Sequence, residues 1–120
     1  MKSYRDLEVY VLSYSLAVKT HQVTLSLPKY EMYEEGSQLR RSSKSVTSCI
    51  VEGYGRRKYK GEFIKFLIYA LASCDETVVH LNFIKDIHHQ QEEIDLLLSD
   101  YNHLGAKINK FIQYVEEHWK

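Results

Sequence analysis

Apolar residues recur along this chain at intervals of three and four, the spacing of one buried helix face. The clearest case is the C-terminal segment, residues 92–119. There Ile94, Leu97, Leu98, Tyr101, Leu104, Ile108, Phe111, Ile112, Val115 and Trp119 form a single apolar stripe. Before it, residues 60–88 carry Phe63, Leu67, Ala70, Cys74, Thr77, Leu81 and Ile84 at the same spacing, widened by Phe66, Leu71 and Val78. Residues 35–54 place Leu39, Val46 and Ile50 on one face, with the small residues Ser42, Ser43 and Cys49 beside them. Small side chains let helices approach closely. Serine is a mediocre helix former, so the run Ser42-Ser43-Lys44-Ser45 calls for a packing or binding reason.

The N-terminal segment, residues 4–25, is different because it has two stripes. Tyr4, Leu7, Val11, Tyr14, Val18 and Leu25 make one, expected to face the core; Val9, Leu12, Leu16 and Val23 make a second, rotated from the first. A helix with two apolar faces touches more than its own bundle. Pro28 then breaks the pattern, since the residue before a proline avoids the helical region. Leu27, Tyr30, Met32 and Tyr33 are expected to pin this loop to the bundle. At ~1.5 Å per residue the last two helices are each about 40 Å long. Long helices joined by short turns pack as antiparallel neighbours, so the pattern predicts an all-α, up-down antiparallel four-helix bundle.

Composition narrows this further. The 120 residues suit one domain spanning 1–120, with 44% hydrophobic and 27% charged residues and a formal net charge of zero. That balance disfavours a chain that binds nucleic acid through its overall charge. One proline and five glycines disfavour an all-β chain rich in tight turns. The charged start MKSYRDLEVY has no apolar signal region, and the longest apolar run, FLIYALAS, is too short to span a bilayer, so a cytoplasmic location is expected. Cys49 and Cys74 read as free thiols, because their offset along neighbouring antiparallel helices is too large for a disulfide.

The stretch SCIVEGYGRRKYKGEF, residues 48–63, joins the second and third helices. Its glycine spacing matches neither a dinucleotide fingerprint nor a Walker loop. Gly53 or Gly55 is expected to cap the second helix in a left-handed conformation, with Arg56, Arg57, Lys58 and Lys60 following where positive charge meets the helix dipole favourably. From residue 35 to 60 the bases are Arg40, Arg41, Lys44, Arg56, Arg57, Lys58 and Lys60, against the acids Glu35 and Glu52. The C-terminal part compensates with Asp86, Glu92, Glu93, Asp95, Asp100, Glu116 and Glu117. Such asymmetry suggests an anionic partner, and the seven bases are the candidate nucleic-acid contacts. Tyr54 and Tyr59, which flank the bases, are the two tyrosines set apart for stacking on a base. Glu52 lies near a helix C-terminus, where an acid is unfavourable; a structural ion pair with Arg40, Arg41, Arg56 or Arg57 is expected.

These same residues carry a family resemblance. Gln38-Leu39-Arg40-Arg41, Ser45-Val46, Ile50-Val51-Glu52-Gly53 and Gly55-Arg56, followed by Phe63, Phe66-Leu67, Tyr69-Ala70, Ala72-Ser73 and Glu76, resemble a four-helix bundle family encoded in intervening sequences of bacterial large-subunit ribosomal RNA genes. The opening Tyr4-Arg5-Asp6-Leu7-Glu8-Val9-Tyr10 is similar to the start of that family. Departures are Cys49 in place of the motif's asparagine, Val51 in place of alanine, Ala72 in place of glycine and Thr77 in place of leucine. The resemblance implies an all-α bundle that assembles as a ring-like homopentamer. It also implies kinship with the accessory bundle proteins of diversity-generating retroelements, which engage nucleic acid and a reverse transcriptase.

No catalytic constellation is legible. Ser73, Asp75 and Glu76 share one helix, and adjacent helical side chains point apart. His80, His88, His89, Glu92 and Glu93 lack H-E-x-x-H spacing and are expected in a solvated turn rather than around a metal. The expectation is therefore a non-enzymatic, cofactor-free homo-oligomer with a basic patch for RNA or DNA. The alternative is a structural or protein-binding oligomer with no nucleic-acid role.

Overall fold

The computed structural model of the chain describes residues 3–89 and 92–120. It is an all-α, up-down antiparallel four-helix bundle, with a 3-10 turn at Tyr4–Asp6 leading into α1 (Glu8–Thr24), a short α2 (Lys29–Tyr33), α3 (Glu35–Gly55), α4 (Lys60–His88) and α5 (Glu92–His118). α1 packs on α3 and α5, and α4 packs on α3 and α5, so α1 and α4 occupy one diagonal. The long axis is 48 Å and the cross-section 20 × 20 Å. A 29-residue α4 at ~1.5 Å per residue accounts for nearly all of that length.

For α3, α4 and α5 the buried residues are those of the apolar stripes. Leu39, Val46, Ile50, Phe63, Leu67, Ala70, Leu81, Ile84, Ile94, Leu104 and Ile108 are all fully enclosed. The serine run has a packing reason. Ser42 and Ser43 are buried, and Thr77 Oγ1 on α4 lies 2.8 Å from both Ser42 Oγ and the Ser73 carbonyl. Ser45 Oγ meets Ser73 Oγ at 2.9 Å, and Thr47 Oγ1 meets Ser13 Oγ of α1 at 3.0 Å. On the α1–α5 side, Thr20 Oγ1 lies 2.7 Å from the Leu16 carbonyl and 2.7 Å from the Tyr101 hydroxyl. One hydroxyl has one hydrogen, so Thr20 donates to the carbonyl and accepts from Tyr101. Burial pushes the Tyr101 hydroxyl up to about 12, which keeps it a donor. Among the described residues no buried side-chain polar atom lacks a partner, the condition under which a polar seam inside a core is tolerated.

Three expectations are corrected. The first concerns α1. Leu7 is buried and Tyr4 is half-buried, but Val11, Tyr14, Val18 and Leu25 are about half exposed; the core side carries Val9, Leu16, Ala17, Ser13 and Thr20 instead. Counting only apolar residues misses Ser13 and Thr20, which face inward because the hydroxyl seam satisfies them. The second concerns the loop after α1. That helix ends at Thr24, and Pro28 opens α2 rather than ending α1. The turn of α2 sends Tyr30 and Tyr33 to solvent and buries Glu31, while Leu27 just before it is also buried. The third concerns Gly53, which sits inside α3 with no left-handed backbone; the helix runs on to Gly55 and is capped by Arg56. Gly53 is needed for close approach, since a β-carbon there would lie 3.2 Å from Phe66 Cβ and 3.3 Å from the Phe63 carbonyl oxygen of α4.

Cys49 is half-buried, Cys74 is buried, and both are free. Burial, helped by the charge of Asp75, pushes the Cys74 thiol up to about 12, and its Sγ lies 3.4 Å from the Tyr101 carbonyl. The thiolate is the reactive species. At pH 8 a disulfide-exchange reagent such as Ellman's is therefore expected to label one thiol per native chain, Cys49, and a second only after urea unfolding. Two equivalents released rapidly from the folded protein would contradict an enclosed Cys74.

Candidate nucleic-acid interface

The seven bases do not form one continuous surface. Lys44 and Arg56 are separated by twelve residues of α3, about 18 Å along its axis, and they point to different neighbours. Arg40 is committed inward: Nη1 donates to Thr24 Oγ1 at 2.8 Å and Nη2 to the Met32 carbonyl at 3.0 Å. It ties α3 to the α1–α2 connection and is structural. Lys44 faces α1, where Nζ donates to Nδ1 of His21 at 3.0 Å. Partial burial, then the charges of Lys44 and Arg40, hold His21 below the ordinary histidine range, consistent with a neutral ring that accepts from Lys44. Arg41 is exposed on the outer side of α3.

The other four bases cluster at the α3–α4 turn, on an aromatic floor. Phe63, fully buried, has ring-centroid distances of 6.2 Å to Tyr54, 5.9 Å to Phe111 and 5.1 Å to Trp119, all edge-on. Above it the Arg57 guanidinium lies 4.1 Å from the Tyr54 ring centroid, while its Nη1 donates at 2.9 Å to the Tyr54 carbonyl, which also accepts the Arg57 backbone N–H at 3.2 Å. The Trp119 indole N–H donates to the Arg57 carbonyl at 3.3 Å, and Lys60 Nζ donates to the Glu116 carbonyl. The end of α5 thus holds the turn rigid. Arg56 lies over the Phe66 ring at 4.7 Å, with Nε 3.4 Å from Glu52 and Nη1 3.2 Å from Glu62. Glu52 and Arg56 are each about half exposed, so their pair is worth about 1 kcal/mol at most. Lys58 projects beside Tyr59, 5.8 Å from its ring centroid, and both are exposed.

The two tyrosines at this turn therefore part company. Tyr54 is buried under Arg57 and cannot meet a base; Tyr59 is 64% exposed. Sequence reasoning treated them as equivalent because helix phase at a helix end depends on where the helix stops, and α3 runs past Gly53.

The histidines of α4 also depart from expectation. His80 and His88 are mostly buried and bound to carboxylates, not set in a solvated turn. His80 Nδ1 lies 2.9 Å from Glu35 Oε1 and its Nε2 3.4 Å from Glu76. His88 Nε2 lies 2.6 Å from Glu31 Oε2. Both pairs fasten α2 and the start of α3 to α4. Among the described residues no group of three or more His, Cys, Asp or Glu side chains is placed to hold a metal ion. No described helix is long and apolar enough to cross a membrane.

Residues 5–110 match the family model of the 23S rRNA-intervening sequence protein. The chain belongs to that family. The match covers the basic turn and all four long helices, α5 in part. A crystal structure of a protein of unknown function from the S23 ribosomal protein family of Bacteroides thetaiotaomicron superposes with a TM-score of 0.75 at 21% identity, over 87% of this chain and 97% of that one. At that identity the likeness carries the bundle architecture alone. No functionally curated protein matches the chain.

Proposed function

We propose that this member of the 23S rRNA-intervening sequence family is a non-enzymatic, cytoplasmic homo-oligomer, a pentameric ring, that binds single-stranded RNA or DNA at the α3–α4 turn. The observation that carries the nucleic-acid reading is Tyr59, exposed and flanked by Arg56, Arg57 and Lys58 on a turn braced from below. Cations neutralise phosphates without reading sequence, and an exposed aromatic ring stacks on any base, which favours single strands. Arg40 and Lys60 are committed to contacts within the chain and Lys44 lies about 18 Å along α3 from Arg56, so the site is narrower than the full set of seven bases. The oligomer reading draws on the exposed apolar residues of α1 and α4, two helices with apolar side chains both toward and away from the core. Repetition around a ring would add avidity where one strand reaches several turns.

Light scattering coupled to size exclusion is expected to give five times the 14.2 kDa chain mass. Fluorescence anisotropy with labelled oligonucleotides is expected to give binding that weakens with salt, with a log–log slope of about −0.7 per phosphate contacted on a single strand. Arg57→Glu with Lys58→Glu is expected to abolish it, and Tyr59→Ala to weaken it at unchanged salt slope. Binding indifferent to these changes, or none at ~50 mM salt, would remove the nucleic-acid role and leave an oligomer that docks another protein.

A further inference from the structure

Two apolar faces of the bundle lie uncovered, on different helices. The first is a groove of about 540 Å³ between α1 and α3, lined among others by Tyr10, Tyr14, Val18, Lys44, Thr47 and Val51. The second is the outer face of α4, where Ile68, Val79, Phe83 and Ile87 recur at helical spacing and are each about half exposed. Ile68 to Ile87 spans about 28 Å along the helix axis. These residues project on the side of α4 opposite its buried row Phe63, Leu67, Ala70, Cys74, Thr77, Leu81 and Ile84. α1 and α4 are the diagonal pair, so the two faces are well separated on the molecule and do not meet within one chain.

Their charges are complementary. The groove lining contains Lys44 and no carboxylate, with the exposed Arg41 on the adjoining turn of α3. The outer face of α4 carries exposed Asp75, Glu76 and Asp86; its bases are engaged, Lys65 at the N-terminal end with Glu62 at 3.4 Å and the half-buried Lys85 with Asp95 at 2.8 Å. Pairing either face with itself would bring like charges together, which works against association. Pairing the groove with the α4 face brings opposite charges around an apolar centre.

We propose that the α1–α3 groove of one copy receives the outer face of α4 from a second copy, head to tail. The inference rests on the homo-oligomer proposed above and names the surfaces that build it. A contact between two different faces leaves each copy with one groove and one α4 face still open. It therefore propagates until rotation closes a ring, whereas a contact of one face with itself stops at a dimer. The apolar outer residues of α1, out of place in an isolated bundle, then become interface core.

The test uses two single variants, Val18→Glu in the groove and Phe83→Glu on α4. Both residues are half exposed in the single chain, so the helical circular dichroism of each variant is expected to match the parent. Tyr14→Glu and Ile68→Glu form a second pair should either of the first lose helical signal. By light scattering each variant alone is expected to be monomeric where the parent is an oligomer. Mixed in equal amounts they are expected to form a one-to-one heterodimer and stop there, because only one intact groove and one intact α4 face remain. A parent that is itself monomeric would overturn the oligomer reading and this inference together. A parent oligomer with either variant still assembled, or with no heterodimer in the mixture, would overturn the head-to-tail pairing while leaving the oligomer standing.

Discussion

Phe63→Ala is expected to cost about 3–5 kcal/mol of folding stability, the range for emptying an aromatic site in a core that relaxes only partly. Domains of this size are stable by only about 5–15 kcal/mol, so the loss is a large fraction of the whole. The site is enclosed, and Phe63 is the ring against which Tyr54, Phe111 and Trp119 all pack edge-on. One truncation therefore loosens α3, α4 and α5 at the same end. Gly53 limits how far that end can collapse to fill the void, because α3 already lies as close to Phe63 and Phe66 as a missing β-carbon allows. With a urea m-value of about 1–3 kcal/mol/M, the unfolding midpoint should fall by more than 1 M at fixed protein concentration, which must be held constant for an oligomer. The functional consequence is separate. The floor under Arg57 goes with the ring, so oligonucleotide affinity should drop although no charge has been touched. Phe63→Leu, which keeps part of the volume, should lie between. An unmoved midpoint in Phe63→Ala would mean the aromatic cluster does not hold this end together.

Where the sequence was legible, and where it was not, follows from what side chains do rather than from how apolar they are. The stripes of α4 and α5 identify their buried residues because those helices pack against neighbours with ordinary apolar rows. α1 misleads. Its inward face includes Ser13, Thr20 and Thr24, buried through hydrogen bonds to Tyr10, Leu16, Tyr101 and His21 that no periodicity count contains. Its outward face is apolar, so the stronger hydrophobic stripe points away from the core. A two-striped helix is visible in the sequence; which stripe faces inward is not, since that depends on hydroxyl partners 34 and 81 residues away. At the candidate site the local features were legible: the bases, the exposed Tyr59 and an arginine within reach of Glu52. The sorting of Arg40 and Lys44 away from Arg57 and Lys58 was not, because it depends on which neighbour each turn of α3 faces. Gly53 shows the same limit. A glycine near a helix end reads equally well as a cap or as a close approach, and only the position of Phe66 decides between them.

The Glu31–His88 pair lies 57 residues apart in sequence, and its loss should have the second large effect. Glu31 is 5% exposed, on a helix of five residues, too short to be stable alone. One carboxylate oxygen lies 2.6 Å from His88 Nε2, and the other accepts from the Glu35 backbone N–H at 3.3 Å, at the otherwise unpaired start of α3. A single side chain thus joins α2, α3 and the last turn of α4. Breaking a buried permanent ion pair costs about 3–5 kcal/mol. Glu31 and His88 share a single hydrogen bond, so the relevant scale is that of a hydrogen bond to a charged group, about 1.5–3 kcal/mol. A double-mutant cycle of Glu31→Ala and His88→Ala should therefore return a coupling energy of about 1.5–3 kcal/mol at pH 7, well above the ~0.5 kcal/mol scatter of independent sites. Glu31→Gln keeps the volume and an acceptor but not the charge, and should recover only part of the loss. Hydrogen exchange gives the local readout. The amides of residues 29–35 should lose protection in Glu31→Ala while those of the α5 core keep theirs. Additive single effects, or unchanged exchange in α2, would show that Arg40, through its bond to the Met32 carbonyl, holds this segment without Glu31.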